Sequence, residues 1–301
     1  MYPFELMEPE FRAILLANAP LETLGRGFRW LEGPVWFADQ NCLLLSDIPN
    51  DRVLRWSQSG GMSIFRQPSH FENGHARDRQ GRLISCSHQK RSIMRTELTG
   101  EITVLASHFH GRRLNAPNDV VVKSDGSIWF TDPLYGISTD YEGGKQESEL
   151  PPAVYRLDPN TGDLEIVADD FKGPNGLCFS PNERHLYITE TGDLLCPNPS
   201  RHIRRFTLTH QDQSLTNGRI FHVIAPGAAD GLCSDEHGHL FASAEDGVHC
   251  LHPSGALLGK VHTPEAVSNL TFGGRHLSRL FLCAGQTLYA VYTNTRGAVL
   301  I

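Results

Sequence analysis

Asn175-Gly176-Leu177-Cys178-Phe179, followed after five intervening residues by His185-Leu186-Tyr187-Ile188-Thr189-Glu190, decides the fold of this chain, because the same phrase returns along its length. Each copy opens on a polar residue, runs through a short apolar strand, turns, and closes on a second apolar strand. Upstream stand Glu32-Gly33-Pro34-Val35-Trp36-Phe37 with Cys42-Leu43-Leu44-Leu45-Ser46-Asp47, and Asn73-Gly74-His75-Ala76-Arg77-Asp78 with Arg82-Leu83-Ile84-Ser85-Cys86. Asn118-Asp119-Val120-Val121-Val122 with Ser127-Ile128-Trp129-Phe130-Thr131-Asp132 comes third. Downstream are Asp230-Gly231-Leu232-Cys233-Ser234 with His239-Leu240-Phe241-Ala242-Ser243, and Asn269-Leu270-Thr271-Phe272 with Arg279-Leu280-Phe281-Leu282-Cys283.

The openers fall at 32, 73, 118, 175, 230 and 269, separated by 41, 45, 57, 55 and 39 residues. Intervals of that size mark a repeat of one small sheet. Arg52-Val53-Leu54-Arg55-Trp56, Ser92-Ile93-Met94-Arg95, Ala153-Val154-Tyr155-Arg156-Leu157 and Gly247-Val248-His249-Cys250-Leu251 supply third strands, and Leu164-Glu165-Ile166-Val167 a fourth. Six repeats of four strands predict an all-β chain, a six-bladed β-propeller. A β-sandwich would not explain why one two-strand phrase recurs six times. Residues 1–24 read as an N-terminal extension with a weakly helical stretch outside the ring, and 25–301 as a single propeller domain. The two long intervals place inserted loops at 138–152 and 192–202, and loops grafted on one face of a scaffold commonly bind.

Composition narrows the partners. With 27 Lys and Arg against 34 Asp and Glu, the net charge of −7 speaks against nucleic acid, which is held by a basic face. The short run Arg201-His202-Ile203-Arg204-Arg205 alternates around Ile203 and reads as a solvated strand. No stretch approaches the ~18 apolar residues of a membrane span. The first twenty residues carry Glu5, Glu8 and Glu10 and lack the basic and apolar regions of a secretory leader, so a cytoplasmic location is expected. Seven scattered cysteines without a CxxC pair read as reduced thiols filling strands.

In a propeller the innermost strands line one channel, so equivalent openers converge on the axis. Glu32, Asn73, Asn118, Asn175, Asp230 and Asn269 comprise two carboxylates and four amides, with no Lys or Arg among them. Two carboxylates brought together repel, and a divalent cation between them relieves the repulsion while amide carbonyls add neutral ligands. That oxygen set suits Ca²⁺, or Mg²⁺ and Mn²⁺, better than Zn²⁺, which remains an alternative. Asn-Gly and Asp-Gly are also common turn formers. Turn chemistry alone does not account for Glu32-Gly33-Pro34 or for Asn118-Asp119-Val120.

Leu31-Glu32-Gly33-Pro34-Val35-Trp36, Ala116-Pro117-Asn118-Asp119-Val120, Gly173-Pro174-Asn175-Gly176-Leu177 and Asp230-Gly231-Leu232 resemble motifs of the gluconolactonase, senescence-marker-protein and luciferin-regenerating family. The likeness covers nearly all of the chain after Leu21 and is strongest to the bacterial gluconolactonase branch, through Arg77-Asp78-Arg79-Gln80-Gly81-Arg82-Leu83 and Thr131-Asp132-Pro133-Leu134-Tyr135-Gly136. The resemblance implies a six-bladed propeller with one divalent ion, often Ca²⁺, on residues matching Glu32, Asn118, Asn175 and Asp230. It also implies hydrolysis of sugar lactones of the glucono-1,5-lactone type. In the animal branch an Arg two residues before the third-blade Asn contacts substrate; here Ala116 stands there, so those contacts do not transfer.

Opening a lactone requires a polarised carbonyl, a nucleophilic water and a proton acceptor. A metal would polarise the carbonyl, and Asp230 is the candidate general base, with a metal-bound hydroxide as the competing route. Asn73 and Asn115 are candidates for sugar hydroxyls, and Tyr135 for a stacking face. Asp119 is a candidate to orient Asn118. His70, His75 and His88 fall in the second repeat, but fifteen histidines make such a group unsurprising. No Gly-x-Ser-x-Gly elbow is present for a serine nucleophile. Propellers that hydrolyse organophosphates use a similar Glu/Asn/Asn/Asp set, so a phosphotriesterase is the alternative chemistry. A calcium-binding propeller without catalysis is the other.

Overall fold

Five of the six repeats each fold into an antiparallel sheet whose own four strands lie in chain order, and the sixth supplies three strands of its blade. The structure is a computed structural model that describes residues 3–192, 201–209 and 213–298. Blade one comprises Leu31–Phe37, Cys42–Asp47, Arg52–Ser57 and Gly61–Arg66; blade two Glu72–Arg77, Leu83–Ser87, Ser92–Thr96 and Ile102–Ala106. Blade three comprises Val120–Val122, Ile128–Asp132, Ala153–Leu157 and Leu164–Ala168; blade four Pro174–Phe179, His185–Glu190, His202–Leu208 and Leu215–His222. Blade five is Leu232–Ser234, Leu240–Ala244, Gly247–Leu251 and Leu257–His262. Blade six is Asn269–Gly273, Arg279–Ala284 and Thr287–Tyr292, completed by Glu22–Arg26. The architecture is the expected six-bladed β-propeller.

Sequence pattern follows depth. Second strands such as Cys42–Asp47 and Ile128–Asp132 are buried throughout, being covered by a blade on each side, and read as apolar runs closed by a hydroxyl and an acid. Outer strands such as Gly61–Arg66 are mostly exposed and mixed in composition. The core lies between blades: Trp129 of blade three meets Phe179 of blade four edge-on, ring centroids 5.6 Å apart, within one apolar cluster. Such burial contributes about 25 cal/mol per Å² of apolar surface, which favours stacking every blade on its neighbours.

The first residues are woven into the ring. Glu22–Arg26 pairs with Thr287–Tyr292, Glu22 opposite Ala290, so that blade six joins the start of the chain to its end. The boundary at residue 24 therefore falls inside a strand. Phe4–Leu6 adds a fifth strand to blade five, Phe4 opposite Val261. Between them a single helical turn, Phe11–Ile14, buries Phe11 and Ile14 against blades five and six.

The insert at 138–152 follows the single turn Tyr135–Ser138 and joins the second and third strands of blade three. It thus rises at the end of the sheet where the inner strands begin. Most of the insert at 192–202, with Cys196, lies outside the described residues; the remaining six cysteines are free thiols. No helix among the described residues is long and apolar enough to cross a membrane.

Candidate active site on the propeller axis

The openers are aimed inward by a local irregularity. In blades one, two and four the inner strand carries one extra residue at its start, between Glu32 and Val35, Glu72 and His75, and Pro174 and Leu177. Bulges re-aim side chains and are common beside active sites.

The glycine after an opener serves a different purpose from the turn reading. A Cβ on Gly33 would lie 2.0 Å from the Asn73 carbonyl oxygen, and one on Gly176 2.1 Å from that of Asp230. Gly74 stands in the same relation to the Asn118 carbonyl, whereas a Cβ on Gly231 would meet the side-chain Oδ1 of Asn269. These residues are glycine because the next blade's opener occupies the space. Hydroxyls fix the same seam: Ser46 Oγ donates to the Asn73 carbonyl at 2.8 Å, Thr131 Oγ1 to that of Asn175 at 2.7 Å, and Thr189 Oγ1 to that of Asp230 at 2.9 Å.

A carboxylate follows each of these hydroxyls and receives the N–H groups of the turn leading to its own blade's opener. Asp47 Oδ1 accepts from Arg29 and Trp30, Asp132 Oδ2 from Asn115, and Glu190 from Lys172 and Gly173. Sequence reasoning missed these positioning residues. Their signal was legible as Ser46-Asp47, Thr131-Asp132 and Thr189-Glu190, a hydroxyl and an acid closing the second strand of three repeats.

The openers do converge. Asn73 Nδ2 donates to Asn118 Oδ1 at 3.0 Å, Asn269 Nδ2 to Glu32 Oε2 at 3.0 Å, and the Asn175 amide bonds the Asp230 carboxylate. Glu32, Asn73, Asn118, Asn175 and Asn269 are buried. Asp119 turns along the axis, its Oδ1 accepting from Val120 N–H at 2.9 Å, and it adds a third carboxylate to the two opener acids. The insert adds a fourth, Glu142. Burial raises the pKa of Asp230 well above the carboxylate range, and the charges of Glu32, Asp119 and Glu142 push it further; Glu32 is raised by burial and by the charges of Asp119 and Glu142. Burial likewise lifts Asp119 and Glu142 to about 7.

The other expected contacts are placed elsewhere. Asn115 is fully buried behind the openers, its amide donating to the carbonyls of Asp132 and Pro151 while its Oδ1 accepts from Ser148. Tyr135 is half-buried, its hydroxyl 3.1 Å from the Gly173 carbonyl and 2.9 Å from that of Gly192. His75 is buried between Ser46 and Ser85, whereas His88, also buried, reaches Asn73.

The family model for the SMP-30/gluconolactonase/LRE-like region matches residues 30–286, the stretch that carries all six blades' inner strands. The chain belongs to this family. Among its SMP-30/gluconolactonase relatives, the gluconolactonase of Zymomonas mobilis is 31% identical over 96% of this chain and 85% of its own. A gluconolactonase structure from Xanthomonas campestris superposes with a TM-score of 0.90 at 36% identity, covering 97% of this chain and 94% of that one. A calcium-binding regucalcin from Agrobacterium tumefaciens shares the fold at a TM-score of 0.75 and 16% identity, covering 93% and 95%.

The axial cluster of acids and amides is chemically suited to a hard cation. Burial and the charges of Asp119 and Glu142 raise both Glu32 and Asp230, no lysine or arginine is among the openers, and Asn73 Oδ1 is buried without a hydrogen-bond partner. Among the described residues no three His, Cys, Asp or Glu side chains gather as a metal-binding group, so an ion on the axis would draw on amide oxygens as well as carboxylates.

Proposed function

We propose that this protein is a metal-dependent lactonase that opens sugar lactones of the glucono-1,5-lactone type at the axial site. The observation that carries the reading is the set of acids and amides on the axis of a chain 31% identical over nearly its whole length to a gluconolactonase. Glu32, Asn118, Asn175 and Asp230 would hold a divalent ion, Ca²⁺ foremost. When bound, that ion supplies Lewis-acid polarisation of the lactone carbonyl and stabilises charge that develops on its oxygen.

The chain's own residues supply position and proton transfer. Asp230 is held on both sides, its N–H donating to Ser243 Oγ at 2.8 Å and its carbonyl accepting from Gly176 N–H at 3.1 Å. Its carboxylate receives the proton of the attacking water. Burial and the charges of Glu32, Asp119 and Glu142 raise its proton affinity, and a positioned carboxylate beside the attacking water acts as a general base. Asn73 offers an unpaired acceptor to a substrate hydroxyl, Tyr135 borders the mouth, and the insert with Glu142 limits what enters. Asn115 acts through the turn that it anchors.

Turnover of a panel of lactones and one phosphotriester by metal-stripped and Ca²⁺-reconstituted protein tests this. Lactone opening that requires the metal is expected; hydrolysis of the phosphotriester alone, or of nothing, would overturn it.

A further inference from the structure

His88 belongs to no motif of the axial set, yet it joins the insert to an opener. Its ring is fully buried; Nδ1 lies 2.9 Å from the Glu142 carbonyl oxygen and Nε2 3.3 Å from Asn73 Nδ2. The insert closes on the imidazole so tightly that a Cβ on Gly136 would stand 2.3 Å from His88 Cγ, and one on Gly143 2.9 Å from His88 Cβ.

Hydrogen-bond logic then determines the whole chain of contacts. A carbonyl oxygen only accepts, so Nδ1 must carry the proton. Burial keeps the ring neutral, its pKa lowered to about 4, which leaves Nε2 bare. A bare nitrogen only accepts, so the Asn73 atom facing it must be the NH₂ group. The second hydrogen of that group goes to Asn118 Oδ1 at 3.0 Å. Asn73 Oδ1 is what remains, buried and without a partner. Amide orientation is normally inferred from such networks, and here two acceptors dictate it.

We infer that His88 is a positioning residue: the insert carbonyl selects its Nδ1–H tautomer, and that tautomer orients Asn73 with its oxygen, rather than its nitrogen, available to a hydroxyl donor. The inference rests on the lactonase reading only for the identity of that donor, a ring hydroxyl of the lactone. It makes the insert a determinant of site polarity as well as of size.

Two measurements test it. Protein labelled with ¹⁵N-histidine, with His88 assigned from the His88→Gln variant, should show in a two-bond ¹H–¹⁵N spectrum at pH 7 an Nδ1–H tautomer with unprotonated Nε2. An Nε2–H tautomer overturns the inference whatever the activity. In kinetics, His88→Leu should lower kcat/KM for glucono-1,5-lactone by roughly 3- to 10-fold, mostly through KM, the effect of one neutral hydrogen bond, while δ-valerolactone, which lacks hydroxyls, stays within about twofold. His88→Gln, whose side-chain oxygen can accept from Asn73, should recover part of the loss. Equal losses on both lactones would reduce His88 to a packing residue and overturn the inference. Wild-type protein that opens neither lactone would remove the lactonase reading, while the spectrum still decides the tautomer.

Discussion

The Thr189 hydroxyl, one residue from the end of its strand in blade four, donates to the main-chain carbonyl of Asp230 in blade five at 2.9 Å. Asp230 is therefore positioned through its backbone, while its carboxylate receives a hydrogen bond from the Asn175 amide. Asp230→Asn should fold, bind metal more weakly and lose roughly 10²- to 10⁴-fold in kcat. Glu32→Gln should regain most of its activity when metal is added. Steady-state kinetics at saturating Ca²⁺ or Mn²⁺ separates the roles: recovery of Asp230→Asn to near wild type would make Asp230 a ligand only.

Removing a metal from the axis would leave Glu32 and Asp230, each raised by burial and by the charges of Asp119 and Glu142, without a counter-charge. EDTA should abolish lactone opening and lower the melting temperature, and Ca²⁺ at 100 times its Kd should restore about 2.7 kcal/mol. A melting curve unchanged by EDTA and Ca²⁺ would argue against an axial ion.

Gly176→Ala tests the seam between blades four and five. Its Cβ would meet the Asp230 carbonyl oxygen at 2.1 Å, and the backbone must shift to relieve the overlap. Overpacking of this kind costs about 1–3 kcal/mol, so urea denaturation should show that loss together with weaker metal binding. Wild-type values for both would mean that the blades are less tightly nested than the distances indicate.

Glu190→Gln tests the acids that close the second strands. Glu190 accepts three N–H groups, from Lys172, Gly173 and Gly192, at 2.8 to 2.9 Å. Glutamine replaces one acceptor oxygen by a donor, leaving a buried N–H unpaired at a cost of about 1–3 kcal/mol. Thermal unfolding should register that loss, and KM should rise because the Asn175 turn loosens. Unchanged stability would assign the turn's rigidity to other contacts.

The pH dependence of stability should carry the mark of His239. Burial pulls its pKa down, but the hydrogen bond to Asp235 at 2.8 Å, the charge of Asp235, and Glu10 outweigh it and raise it above the ordinary value. A raised histidine contributes stability that is complete below about pH 6.5 and is lost as pH rises through the folded value. Wild-type stability should therefore decline from pH 6 to pH 8 more steeply than that of His239→Gln, measured by denaturant midpoint. Parallel curves would show that the link between the N-terminal segment and blade five is not charge-dependent.

The repeat, its strand count per blade and the register of the six openers were legible because each rests on short-range patterning: alternation, turn residues, and one polar position per blade. Convergence of Glu32 with Asp230 followed from the geometry of any propeller. Of the other acids, Asp119 was legible only as a candidate to orient Asn118, and Glu142 was not legible as a member of the site, since it lies in a loop without pattern. Asn115 illustrates the reverse case. It sits three residues before Asn118, yet the Asp132 and Ser148 bonds claim it for the scaffold.

By itself, the order of residues determined a six-bladed ring with acids and amides at one end of its axis, because periodic apolar runs have few ways to be buried. Only the tertiary structure decided that Glu22–Arg26 completes the last blade and that the glycines after the openers answer a neighbour's carbonyl. It also decided that His88 connects the insert to Asn73. Those outcomes depend on contacts between segments far apart in the chain, where the identity of a residue says what it can bond and only the packing of the blades says which partner it meets.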